Sequence, residues 1–222
     1  MVRILKLLVV TALAAVLVVG LTTTACCDGT DGNGGVPNGD APNGDEPNGD
    51  VTNGDEPNDG EPDLTSGFGI ITSAEEYGGT GFQDKDPAPD FTFEDASGQS
   101  FSLSDFQGRL VIINFWRTDC GWCVYEMPYL EQVYNEWPAD ELIVLTIDIG
   151  EDAAKVSDFL DDIEVSLPVI LDREALVTAQ YRVSSLPRTV FINKEGLIRY
   201  IQFGAFQSLE ELEYILEQLI AL

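Results

Sequence analysis

Histidine is absent from the 222 residues, and lysine and arginine together number 11 against 39 aspartates and glutamates, for a formal net charge of −28. Without an imidazole there can be no histidine-based triad, no His-ligated zinc or haem, and no histidine pH sensor. The scarcity of base argues against nucleic acid as a partner, because phosphate contacts need clustered lysine and arginine. It argues equally against an anionic membrane surface. Cysteine is scarce too, at four. Chemistry is left to carboxylates, to those cysteines and to the backbone.

The composition is uneven along the chain. Arg3 and Lys6 precede an uncharged apolar run over residues 7–21, followed by Thr22-Thr23-Thr24-Ala25-Cys26. A basic start, an apolar stretch shorter than the roughly 20 residues of a membrane span, and small residues before a cut describe a secretory signal over residues 1–25. An uncleaved N-terminal anchor is the alternative. The end of the segment resembles a bacterial lipoprotein signal, which implies lipid attachment at Cys26, although Thr23 stands where that family usually has an aliphatic residue. Residues 26–63 follow as an acidic tether. Within them, residues 28–63 carry eleven acids and no base, and five tandem pentapeptides run from Val36-Pro-Asn-Gly-Asp40 to Glu56-Pro-Asn-Asp-Gly60. With almost nothing apolar to bury, the tether is expected to be disordered, with a root-mean-square reach of about 30 to 40 Å. Residues 64–86 are a glycine-rich transition that is expected to add a strand or loop to the domain.

Residues 87–222 alternate strand and helix signals, the pattern of an α/β domain. Leu110 to Trp116 and Leu142 to Asp148 are continuous β-branched and aromatic runs, as in strands buried on both faces. Val124 to Trp137 and Glu151 to Asp162 have helical periodicity. Pro168 to Leu171 reads as a short strand and Glu174 to Tyr181 as a short helix. Thr189 to Asn193 and Leu197 to Phe203 frame Lys194-Glu195-Gly196 as a hairpin, and Phe91 to Phe93 with Phe101 to Leu103 form another. Ser208 and Glu211 form a Ser-x-x-Glu box opening the last helix. The expected fold is a parallel core closed by an antiparallel hairpin and covered by helices.

The segment Trp116-Arg-Thr-Asp-Cys120-Gly121-Trp122-Cys123 stands where the first core strand ends and a helix begins. There the first thiol meets unpaired backbone N–H groups and the positive end of the helix dipole, which favour a thiolate. The second thiol, one turn on, can attack a mixed disulfide and release the partner. A zinc site lacks further ligands, since the other cysteines are Cys26 and Cys27. A static disulfide stays open as the structural alternative.

Trp116 to Pro128, together with Ser184-Ser-Leu-Pro187-Arg-Thr-Val-Phe191, resembles the thioredoxin superfamily, and more closely its TlpA/ResA-like thiol-disulfide oxidoreductases. The resemblance implies a thioredoxin-like fold with an added strand and helix within residues 142–171, and exported, membrane-anchored protein that reduces protein disulfides, as in cytochrome c maturation. It implies Cys120 as the attacking cysteine, Cys123 as the resolving one, and Pro187 as a cis-proline facing them. Glu126 matches a carboxylate near the thiols, with an exposed helix glutamate as the alternative; Trp116 and Trp122 border or shield the site or else belong to the core or the surface, and Gly121 lies between the cysteines. Protein thiols or disulfides are the implied partners, with a membrane electron donor and no cofactor. Asn114 replaces the buried aspartate of cytoplasmic thioredoxins, and Arg188 the threonine after the proline. A peroxiredoxin-like peroxidase is an alternative, but Ile113 and Arg117 stand where its signature needs proline and threonine. A copper chaperone would need a histidine, and a tethered binding module with an inert disulfide is the remaining rival.

Overall fold

The computed structural model describes residues 62–75 and 84–220. The signal, Cys26, nearly all of the tether and residues 76–83 of the transition lie outside the described residues. Eight strands occur among the described residues: β1 (Gly69–Ala74), β2 (Phe91–Glu94), β3 (Ser100–Ser102), β4 (Leu110–Trp116), β5 (Leu142–Ile149), β6 (Val169–Asp172), β7 (Arg188–Ile192) and β8 (Ile198–Phe203). They form one sheet in the order β3-β2-β1-β6-β5-β4-β7-β8. The α-helices among the described residues are α1 (Gly121–Glu136), α2 (Ala153–Asp162), α3 (Leu176–Gln180) and α4 (Leu209–Ile220). None of them is long and apolar enough to cross a membrane.

The central strands β1, β6, β5 and β4 run parallel, and β7 and β8 close the sheet as an antiparallel hairpin. This is the mixed sheet of a thioredoxin-like fold. Every residue of β4 is buried, so its side chains alternate between two cores. Leu110, Ile112 and Trp116 join Met127, Leu130, Leu212 and Leu216 beneath α1 and α4. Val111, Ile113 and Phe115 face Val177, Tyr181 and the phenylalanines of β2 and β3.

The transition segment contributes more than an edge. β1 lies between β2 and β6, antiparallel to the first and parallel to the second, and joins the β2-β3 hairpin to the central sheet. Gly69 is required there: a Cβ would lie 2.9 Å from the Leu64 side chain and 3.3 Å from the Glu94 carbonyl oxygen. The wing is held by stacked rings, Phe93 on Phe101 and Phe106 with centroids 5.8 and 6.3 Å away. In the box opening α4, the Glu211 N–H donates to Ser208 Oγ at 3.3 Å, but the Glu211 carboxylate accepts from Gln207 N–H, one residue upstream of the expected donor.

Truncating a buried phenylalanine typically costs about 3 to 5 kcal/mol. Phe93→Ala is therefore expected to lower the unfolding free energy by about that amount in urea denaturation. A loss below roughly 1 kcal/mol would show that the wing is not part of the cooperative fold.

Candidate active site

β4 delivers the chain to the site. In register, Trp116 lies opposite Asp148 of β5, and the pair before it, Phe115 with Arg188, brings Pro187 to the same end of the sheet. The Leu186-Pro187 peptide bond is cis. Residues 117–119 turn away from the sheet, and α1 begins at Gly121 with Cys120 as its N-cap.

Cys120 and Cys123 are joined by a disulfide. Cys120 is partly exposed, whereas Cys123 is 1% exposed and belongs to the core beneath α1. The Cys123 N–H donates to Cys120 Sγ at 3.2 Å. No acid occupies the first turn of α1, so nothing there offsets the positive end of its dipole. A sulfur anion at Cys120 would be stabilised; one at Cys123 would lie in an apolar surround.

Glu126 lies one turn beyond Cys123 on the same helix face and is fully buried. Its Oε1 accepts from Asn114 Nδ2 at 2.8 Å, and its Oε2 accepts from the Phe206 N–H at 3.0 Å. The other hydrogen of Asn114 Nδ2 goes to Thr189 Oγ1 at 2.9 Å. Burial pushes the Glu126 carboxyl up to about 7 against these two donors, and the nearby charge of Glu211 adds to the rise. Asn114 thus does not supply the acid that a buried aspartate would; it positions one on the neighbouring helix.

The charges of Arg117 and Asp119, on either side of Thr118, are largely spent on each other. Arg117 Nε donates to Asp119 Oδ1 at 2.9 Å, and a second nitrogen reaches the Ile149 carbonyl oxygen. The loop is held from below by Glu151, whose carboxylate accepts from the Thr118 N–H at 2.7 Å and the Thr118 hydroxyl at 2.9 Å, and pairs with Lys155. Glu151 in turn donates its backbone N–H to Asp148 Oδ1, while no donor reaches the buried Asp148 Oδ2. Burial and the Glu151 charge raise Asp148, whereas for Glu151 burial is outweighed by Lys155, Thr118 and Asp148, and its acidity increases. Asp148 and Glu151 were not identified from sequence. The available signal was an acid inside the apolar run of β5, a position that charged residues rarely occupy without a partner.

The remaining expected residues divide. Trp116 is fully buried against Phe159, in the same core that holds Cys123, and its indole N–H has no acceptor among the described residues. A residue inside β4 cannot reach the surface because both faces of that strand are covered. Trp122, on the first turn of α1, is 62% exposed, and Gly121 is exposed beside it. Arg188 is buried with its guanidinium 4.4 Å from the Phe203 ring, donating to the Arg182 carbonyl oxygen.

A protein-family model described as the AhpC/TSA family matches residues 85–201. The chain belongs to that family. Within it, the chain is 34% identical over 132 residues to the thiol-disulfide oxidoreductase ResA of Geobacillus kaustophilus, covering 60% of this chain and 75% of the relative. A putative thiol:disulfide interchange protein DsbE of Chlorobium tepidum shares the fold, with a TM-score of 0.56 at 24% identity over 63% of this chain and 97% of that one. The exposed lipoprotein thioredoxin of Streptococcus pneumoniae superposes with a TM-score of 0.51 at 28% identity, over 59% and 99% of the two chains. Like the ResA proteins, this AhpC/TSA member is a thiol-disulfide oxidoreductase with a thioredoxin-like fold. The positions that a peroxidase signature would need hold Ile113, which is core, and Arg117, which is ion-paired.

The Glu126 titration has a definite sign. The folded chain keeps this proton to about pH 7, whereas a solvated glutamate loses it near 4.3. The group therefore favours folding most at acid pH, and that contribution is lost as the pH rises from about 4 through 7. Relative to Glu126→Gln, the native protein is expected to lose roughly 3 kcal/mol of unfolding free energy between pH 4 and pH 8. Urea titrations of both proteins across that range measure the difference; a flat difference would contradict a buried, titrating carboxyl.

Proposed function

We propose that Cys120 is the attacking thiol and Cys123 the resolving one in the reduction of protein disulfides outside the cytoplasm. The observation that carries this reading is the asymmetry of the pair: Cys120 is accessible and caps a helix, while Cys123 is sealed one turn beneath it. In the reduced protein the Cys120 thiolate attacks a substrate sulfur, forms a mixed disulfide and expels the other substrate sulfur as thiolate. Cys123 then loses its proton and attacks Cys120 Sγ, which releases the second substrate thiolate. Two electrons have moved, the substrate disulfide has become two thiols, and the protein holds the Cys120–Cys123 disulfide. Glu126 is the positioning and proton-handling carboxyl, poised near 7 and one turn from Cys123. Pro187, at the same end of the sheet as the disulfide, forms part of the surface on which the substrate chain lies, with Gly121 and Trp122.

The cycle needs an electron donor to reopen the disulfide, and a donor in the membrane fits the N-terminal organisation. Residues 1–25 serve as an export signal, Cys26 carries lipid, and residues 26–63 hold the domain clear of the surface. The similarity to ResA supports the reducing direction and a role of the cytochrome c maturation type, and the similarity to an exposed lipoprotein thioredoxin supports the anchor.

Equilibration of the protein with defined dithiol buffers tests the direction: a reductant is expected below about −230 mV, and a value near −120 mV would make it an oxidant. Cys120→Ser is expected to abolish insulin-disulfide reduction, and Cys123→Ser to accumulate a mixed disulfide visible on non-reducing gels. Mass spectrometry of protein from membranes is expected to find a lipid-modified Cys26 at the mature N-terminus; an unmodified Cys26 would rule out that anchor.

A further inference from the structure

The helix that carries the disulfide presents an aromatic strip, exposed at Trp122 and Tyr125 and half-buried at Tyr129, which also packs against the core. Trp122 is 62% exposed and Tyr125 45%. Trp122 meets Tyr125 edge-on at 5.7 Å, and Tyr125 meets Tyr129 edge-on at 5.9 Å. The spacing of three and four residues lays these rings along one side of α1. The Tyr125 hydroxyl donates to the Gln207 carbonyl oxygen just before α4, so the strip runs on toward that helix. The Tyr129 phenol is raised by its contact with Tyr125, by burial and by the charge of Glu210, the second residue of α4. Along α4, Glu210, Tyr214 and Glu217 follow at i, i+4 and i+7, and Tyr214 is 63% exposed.

Charge decides what such a surface accepts. No lysine or arginine occurs between Arg117 and Lys155, or after Arg199, so neither α1 nor α4 carries a base. Exposed aromatic faces flanked by carboxylates and lacking base attract lysine and arginine, through cation–π contacts and ordinary Coulomb attraction. An acidic segment would be repelled by the charge of this surface, and a purely apolar one would gain nothing from it.

We infer that the strip from Trp122 to Glu210 is a substrate-docking surface for a basic stretch of polypeptide adjoining the cysteine to be reduced. This rests on the reading of Cys120 as the attacking thiol. Geometry sets the distance. Tyr129 lies nine residues along from Cys120, about 13 Å at 1.5 Å per residue, which extended chain spans in about four residues. The preferred substrate carries lysine or arginine about four residues from its reactive cysteine.

The test uses the reduced full-length protein and three synthetic single-cysteine peptides, each supplied as its symmetric disulfide. One has lysines four residues on either side of the cysteine, one has the same lysines eight residues away, and one has serines instead. Released peptide thiol is followed by rapid quench at low salt, and each rate is divided by the rate of the same peptide with dithiothreitol. The four-residue peptide is expected to react about three- to fivefold faster than its eight-residue isomer, the size of one or two exposed cation–π contacts. In Tyr129→Leu and in Glu210→Gln the isomer ratio is expected to fall toward one, with circular dichroism confirming that both variants fold. Equal rates for the two lysine isomers would overturn the inference, since long-range attraction by an acidic protein does not sense the position of the lysine. A ratio that survived in both variants would overturn it too. If none of the three peptides reacted, the assignment of Cys120 would fail and the docking surface with it; reaction of the serine peptide with no isomer preference would remove the docking surface alone.

Discussion

A carboxyl group with no exposure to water, Glu126, ties together the pieces on which the site depends. Its two oxygens are taken up by Asn114 of β4 and by the Phe206 N–H ahead of α4, and Asn114 spends its second hydrogen on Thr189 of β7. One polar node therefore fixes α1 against two strands and against the segment that leads into the last helix. Burying a carboxyl is unfavourable, and here part of the cost is offset by two good donors while the rest appears as a raised proton affinity. The same arrangement that positions the helix leaves an ionisable group near neutrality one turn from Cys123. Structural role and proton chemistry are not separable at this residue.

Glu151 plays the complementary part on the other side of the disulfide. It gathers both donors of Thr118 and the ammonium of Lys155, so the loop from Arg117 to Asp119 has one resting place and Cys120 begins α1 from a fixed point. Asp148, three residues earlier, is driven the opposite way by burial and by the Glu151 charge. Two carboxyl groups at one strand end thus differ in protonation because Glu151 has the ammonium of Lys155 and both donors of Thr118, whereas Asp148 is fully buried beside the Glu151 charge. With Arg117 and Asp119 paired to each other, the local field at Cys120 is left mainly to the helix start.

Much of this was legible along the chain. A run of seven residues that is apolar except for Asn114 can hardly be anything but a central strand, and β4 occupies residues 110–116 as read. The Cys-x-x-Cys at its end starts a helix, and the hairpin of β7 and β8 pairs as its flanking residues suggested. The transition was expected to add a strand or loop, and β1 is that strand; its place between β2 and β6 was not legible, because its residues are mostly exposed or half-exposed and set among glycines. Its strand character comes from pairing with β2 and β6, not from a pattern of its own. Trp116 lies in the core, one of the places the sequence left open to it, because strand alternation turns it inward with Leu110 and Ile112.

Local patterns in the sequence determined the kind of chemistry and the kind of fold. The lack of histidine, the thiol pair at a strand-to-helix junction and the alternation of buried strands with amphipathic helices are all short-range or compositional facts, set by the periods of strand and helix and by what thiolates need. Only the tertiary structure decided how the carboxyls are partnered and protonated. Glu126 meets a backbone N–H 80 residues away, Thr118 is held by a residue 33 positions on, and Arg117 and Asp119 cancel each other. Proton affinity depends on desolvation and on the charges and donors within a few ångströms, and those neighbours are brought together by the sheet, not by the order of residues in the chain.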